Sequence, residues 1–98
     1  MTKQKIYISG GISSYDLEER KATFAKAEEQ FIQQGYNVVN PMNNGVPVDA
    51  PWDKHLRKDI ATLVECDAIY MLKDWHKSKG AKLEFDIATQ LGMKILFE

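Results

Sequence analysis

Short apolar runs bounded by glycine, proline and asparagine alternate along this chain with longer stretches in which apolar residues recur at helical spacing. Lys5 to Ser9, rich in Ile and Tyr, reads as a first strand that stops at the Gly10-Gly11 pair. Ser13 or Ser14 is placed to cap a helix whose first turn is crowded by Asp16, Glu18 and Glu19, where carboxylates meet the positive end of the dipole. Leu17, Phe24, Ala27 and Phe31 then keep a helical period until Gly35 ends it, which predicts a helix of about 20 residues. Tyr36 to Asn40, with Val38 and Val39, is a second strand closed by Pro41.

From Met42 to Pro51 the asparagines, glycine and prolines show no period and describe a loop able to reach over a site. Trp52, Leu56, Ile60, Leu63 and Val64 give an amphipathic second helix begun by Pro51, with Trp52 on its core stripe. Ala68 to Leu72 is an apolar third strand, and Lys73 to Gly80 is polar. Ala81 to Leu91 is helical, Gly92 caps it, and Lys94 to Phe97 makes a fourth strand. The order β-α-β-α-β-α-β, with apolar rather than alternating strands, predicts an α/β three-layer sandwich. Its core is a four-stranded parallel sheet of flavodoxin-like or Rossmann-like type. Ligands of such sheets bind outside the carboxyl ends of the strands, where the strand order reverses.

Composition narrows the picture further. With 98 residues there is room for one domain, 1–98. The 13 basic and 14 acidic residues are interspersed, so no platform for a nucleic acid polymer or an acidic membrane is expected. No apolar run reaches the length of a membrane span, and the first residues lack a signal-peptide pattern, so a cytoplasmic location is expected. Cys66 is the single cysteine; beside the apolar third strand it reads as a packed small side chain rather than a nucleophile.

Candidate chemistry clusters at the predicted strand ends. Ser9, Gly10 and Gly11 lead from the first strand toward a helix N-terminus, where free N–H groups suit an anion or a sugar hydroxyl; a tight turn explains the same residues. The spaced glycines of a dinucleotide fingerprint and the lysine of a P-loop are both missing from this segment, so no cofactor is expected. Tyr7 either projects its hydroxyl toward the crevice or fills the core. Asp59 lies close to the apolar stripe of the second helix, where a carboxylate is costly unless partnered; His55, one turn earlier, is a candidate partner, and reach to water is the alternative. Glu84 shares a helical face with Ala81, Ala88 and Leu91, and the small residues there let the third helix press on the sheet, although a helix N-terminus stabilises any acidic side chain. Two carboxylates converging on one crevice suit cleavage of a glycosidic bond. Trp75, in a polar segment, is the better stacking candidate than Trp52 or Tyr15, and His55 and His76 form no spaced metal motif.

Several of these segments taken together resemble one family. Tyr7-Ile8-Ser9-Gly10, Asn40-Pro41 at the second strand end, Asp59 followed by Asp67, and Trp75-x-x-Ser78-x-Gly80-Ala81-x-x-Glu84-x-x-x-Ala88 are similar to the nucleoside 2-deoxyribosyltransferase-like superfamily. More narrowly, the chain resembles its small branch of bacterial and phage proteins classed as a domain of unknown function. The resemblance implies cleavage of an N-glycosidic bond in a nucleoside or nucleotide. Glu84 would be the nucleophile, Asp59 would assist at sugar or base, and Tyr7 would position the glutamate. It implies further that Ser78 contacts a 5′-phosphate and that Ser9, Gly10, Gly11, Asn40, Trp75 and Gly80 belong to the substrate site. Where the hydrolase branch carries a basic residue toward phosphate, this sequence has Ser13. Larger members complete the site from a neighbouring subunit, and a homo-oligomer, dimer or larger, is expected here. The alternative reading is a module that binds or senses a nucleotide-like ligand without turnover.

Overall fold

The computed structural model describes residues 3–12 and 15–98. Four strands, β1 (Lys5–Ser9), β2 (Asn37–Val39), β3 (Ala68–Met71) and β4 (Lys94–Phe97), alternate with three helices, α1 (Leu17–Gln33), α2 (Trp52–Leu63) and α3 (Lys79–Gln90). All pairings are parallel and the order is β2-β1-β3-β4, the flavodoxin/Rossmann-like arrangement expected from the sequence. Strand order reverses between β1 and β3, which places the switch point beside the last residues of β1.

Side-chain alternation along the strands divides the core into two layers. Ile6 and Ile8 of β1 and Ala68 and Tyr70 of β3 pack against Phe24, Ala27 and Phe31 of α1. Tyr7 of β1 and Ile69 and Met71 of β3 face the opposite way, against Leu63, Cys66, Ala81 and Ala88. Because both faces of β1 and β3 are covered, neither strand needed a polar side, and this is why the sequence showed runs rather than alternation. Burial pushes the Cys66 thiol up to about 11, and its Sγ donates to the Thr62 carbonyl at 3.4 Å, so it behaves as a packed apolar group.

The element boundaries differ from the sequence expectation where side chains capture backbone groups. Asp16, expected inside the first turn of α1, is its N-cap and accepts from the Glu19 N–H at 3.0 Å. The expected caps, Ser13 and Ser14, lie outside the described residues. Asn40 leaves the second strand because its side chain accepts from the Met42 N–H at 3.0 Å and starts a 3-10 turn over Pro41–Asn43. Ser78 caps α3 by accepting from the Ala81 N–H, so that helix begins at Lys79 rather than Ala81. Gly35, at φ +92, takes the left-handed conformation that ends α1 at little cost. Among the described residues no helix is long and apolar enough to cross a membrane.

Candidate functional site

Tyr7 and Ser9 are two residues apart on β1, so their side chains leave the same face of the sheet, toward α3. There the Tyr7 hydroxyl donates to Glu84 Oε2 at 2.8 Å and the Ser9 hydroxyl donates to Glu84 Oε1 at 2.7 Å. Ala81 and Ala88, 2% and 0% exposed, flank Glu84 on the inner face of α3 and let the helix approach closely enough for both contacts. The carboxyl is 5% exposed and makes one hydrogen bond through each oxygen. Burial pushes Glu84 up to about 7; the bonds from Ser9 and Tyr7 hold it down, and the nearby Asp59 charge raises it again. Tyr7 is driven well above the usual phenol value, by burial first and then by the charges of Glu84 and Asp59.

Asp59 comes from α2 and is 8% exposed, so of the two readings, a partnered carboxyl or one that reaches water, it is the partnered, buried one. Its partner is a loop residue that the sequence did not single out. Asn44 Nδ2 donates to Asp59 Oδ1 at 3.0 Å and also stands 3.2 Å from His55 Nδ1. Burial raises Asp59, while the Asn44 bond and the nearness of His55 oppose the rise. The pairing of Asp59 with His55 anticipated from helical spacing thus runs through Asn44.

Asp59 and Glu84 line one cavity of about 330 Å³ at the strand-order switch point. Tyr7 and Gly10 form part of its floor, with Ser78, Gly80 and Ala81 contributing from the start of α3. The loop after β2 closes another side with Pro41, Asn44, Val46 and Val48, and Trp52, His55 and Leu56 complete it from α2. Lys21 of α1 brings a cation to the rim, and Leu17, expected on the core stripe of α1, is 38% exposed and lines the cavity instead. The volume lies at the lower end of the range for small-molecule sites.

The two glycines of the first turn permit close packing around this cavity. A Cβ on Gly10 would stand 2.7 Å from Leu72 Cδ1, and one on Gly11 would stand 2.9 Å from Tyr15 Cε2 and 3.3 Å from Ser78 Cβ. Arg20 braces the turn, donating through Nε to the Gly11 carbonyl at 2.8 Å while its guanidinium lies 4.2 Å from the Tyr15 ring centroid.

A family model described as Domain of unknown function (DUF4406) matches residues 4–97. The chain belongs to the DUF4406 family. A comparison with curated proteins returned no match. Every residue that lines the cavity falls within the DUF4406 match.

Of the DUF4406 site residues expected from sequence, Tyr7, Gly10, Asp59, Ser78, Gly80 and Glu84 meet at the cavity, whereas Ser9, Gly11, Asn40 and Trp75 do not line it. Ser9 sits behind Glu84, and Asn40 accepts from Met42 and donates to Glu28 Oε1 at 3.0 Å. Trp75 stacks on Phe85 with centroids 4.5 Å apart, and so joins the packing of α3 on the sheet. Besides Tyr7, the aromatic side chain at the cavity is Trp52, 47% exposed at the first position of α2; the buried residues of α2 are Asp59 and Leu63. His76 is exposed, and among the described residues no group of three potential metal ligands is present.

Proposed function

We propose that this chain is a nucleoside 2-deoxyribosyltransferase-like protein that cleaves the N-glycosidic bond of a nucleoside or nucleotide. The observation that carries the reading is the buried Glu84 carboxyl. It is held through both oxygens by Tyr7 and Ser9, on the wall of a cavity shared with a second buried carboxyl, Asp59. In its ionised form Glu84 attacks the anomeric carbon; the C–N bond breaks and its electron pair leaves with the base. Asp59, raised by burial and so more readily protonated, supplies the proton that the departing base takes up. Water or a second base then attacks the glycosyl-Glu84 ester and gives up a proton to the Asp59 carboxylate, so that the sugar leaves bonded to the attacking oxygen or nitrogen and both carboxyl groups return to their starting forms. Trp52 supplies a face for stacking on the base, and Ser78 and Lys21, which also line the cavity, offer a hydroxyl and a cation to polar groups of the sugar or a phosphate. The partner is accordingly a small molecule, with self-association of the chain as part of the same proposal, read by light scattering on the eluting protein.

The test is to incubate the protein with each deoxynucleoside and deoxynucleoside monophosphate and to measure free base by chromatography. Release is expected from at least one substrate, with a mass increase of one sugar on Glu84 in quenched samples and loss of release in Glu84→Ala. Saturable binding without release, retained in Glu84→Gln, would move the chain to the class of ligand-sensing modules.

A further inference from the structure

The loop residue Asn44 has its amide orientation fixed from both ends. Its Oδ1 accepts from the Val46 N–H at 2.9 Å, so the group facing α2 is the NH₂, which donates to Asp59 Oδ1 at 3.0 Å and lies 3.2 Å from His55 Nδ1. An amide nitrogen carries two hydrogens and accepts none, so each of its partners must accept. His55 Nδ1 therefore presents its lone pair to Asn44, and the ring proton resides on Nε2.

His55 lines the cavity four residues before Asp59, on the same face of α2. The Tyr7 hydroxyl is engaged by Glu84 and the Asn44 amide by Asp59 and His55, whereas the Ser78 hydroxyl and the Trp52 indole N–H line the same cavity as further donors. The remaining titratable or charged groups on the cavity are Asp59 from α2, Glu84 from α3 and Lys21 from α1. We infer that His55 is a specificity-determining residue whose Nε2–H donates to an acceptor atom on the rim of the bound nucleobase, and that Asn44 is the positioning residue that fixes this proton pattern. The inference rests on the nucleoside reading for the identity of the ligand, and on Asn44 alone for the tautomer.

The experiment follows the histidine ring nitrogens by NMR in the ¹⁵N-labelled protein, with exposed His76 as internal reference, and titrates the four common deoxynucleoside monophosphates. The wild-type His55 ring is expected as the Nε2–H tautomer. Asn44→Asp keeps an oxygen for the Val46 N–H but offers His55 an acceptor, and is expected to move the ring proton to Nδ1. His55→Phe leaves Asn44 and Asp59 paired and is expected to weaken the best-bound nucleotide about tenfold or more, the size of one lost hydrogen bond, while His55→Gln restores much of the affinity through its side-chain amide. A wild-type Nδ1–H ring, a proton unmoved by Asn44→Asp, unchanged affinity in folded His55→Phe, or no binding of any of the four nucleotides would each overturn the assignment. Base release is read separately: its absence with the tautomer and affinities as expected defeats the catalytic reading and leaves this one standing.

Discussion

At the scale of single residues, the Glu84 carboxyl is shaped by opposing influences that can be separated by substitution. The Tyr7 hydroxyl stabilises its ionised form, so Tyr7→Phe raises a group already pushed up to about 7. With Glu84 reacting ionised and Asp59 protonated, kcat/KM for base release should pass through an optimum in pH in the wild type, with one limb set by Glu84. In Tyr7→Phe that limb should move to higher pH, which a pH–rate profile reads directly. Tyr7 does not itself titrate in this range, because burial and two neighbouring carboxylates raise it. Gly10 carries a purely steric constraint: in Gly10→Ala the new methyl would meet Leu72 at 2.7 and 2.9 Å, the nearer contact to a side-chain end and the other to its Cβ. A loss of about 1–3 kcal/mol in urea denaturation is expected, the range of an overpacked core. Residue types and spacing left Tyr7, Asp59 and Glu84 open between packing and chemistry, and only the family resemblance singled them out together with Ser78; the structure brings the four to one cavity. Residue types and spacing ranked Trp75 above Trp52, the reverse of the structure, because a ring in a polar stretch reads as free until Phe85 is found stacked on it.

Among the elements, the helix caps separate stability from function. Asp16 caps α1 and Ser78 caps α3 by the same kind of bond, each worth about 1 kcal/mol, so Asp16→Ala and Ser78→Ala should lower stability to similar extents in denaturant titrations. Their effects on ligand should differ. Asp16 does not line the cavity and Ser78 does, so Asp16→Ala should keep nucleotide affinity within about twofold while Ser78→Ala weakens it about tenfold, as calorimetry would read. Strand positions and the glycine end of α1 were legible because each depends on local residues alone. The second strand came out longer in the sequence reading than in the structure for a similar local reason: Val38 and Val39 favour extension, but only Asn37–Val39 find partners on β1 before Asn40 turns the chain.

For the molecule as a whole, burying Glu84 links folding to pH. Its folded value, about 7, exceeds the ordinary glutamate value of 4.5, so between these the folded state retains a proton that the unfolded state has released. Unfolding free energy should therefore be highest at or below about pH 4.5 as far as this group is concerned, fall as pH rises, and level off above about 7. The span is on the order of 3 kcal/mol. Asp59, also raised, adds in the same direction. Urea denaturation from pH 5 to pH 8 should show the decline, and Glu84→Gln, which does not ionise, should flatten most of it. What the amino-acid sequence determined unaided was the succession of strands and helices, the parallel sheet they form and the face of α3 that carries Glu84, because period and glycine placement are local properties of the chain. What only the tertiary structure decided was the pairing of Ser9 with Glu84, the Asn44 bridge between His55 and Asp59, and the exchange of Trp75 for Trp52 at the cavity. These contacts join residues from 11 to 75 positions apart, and no local pattern encodes which distant side chain a polar atom will meet once the strands have stacked.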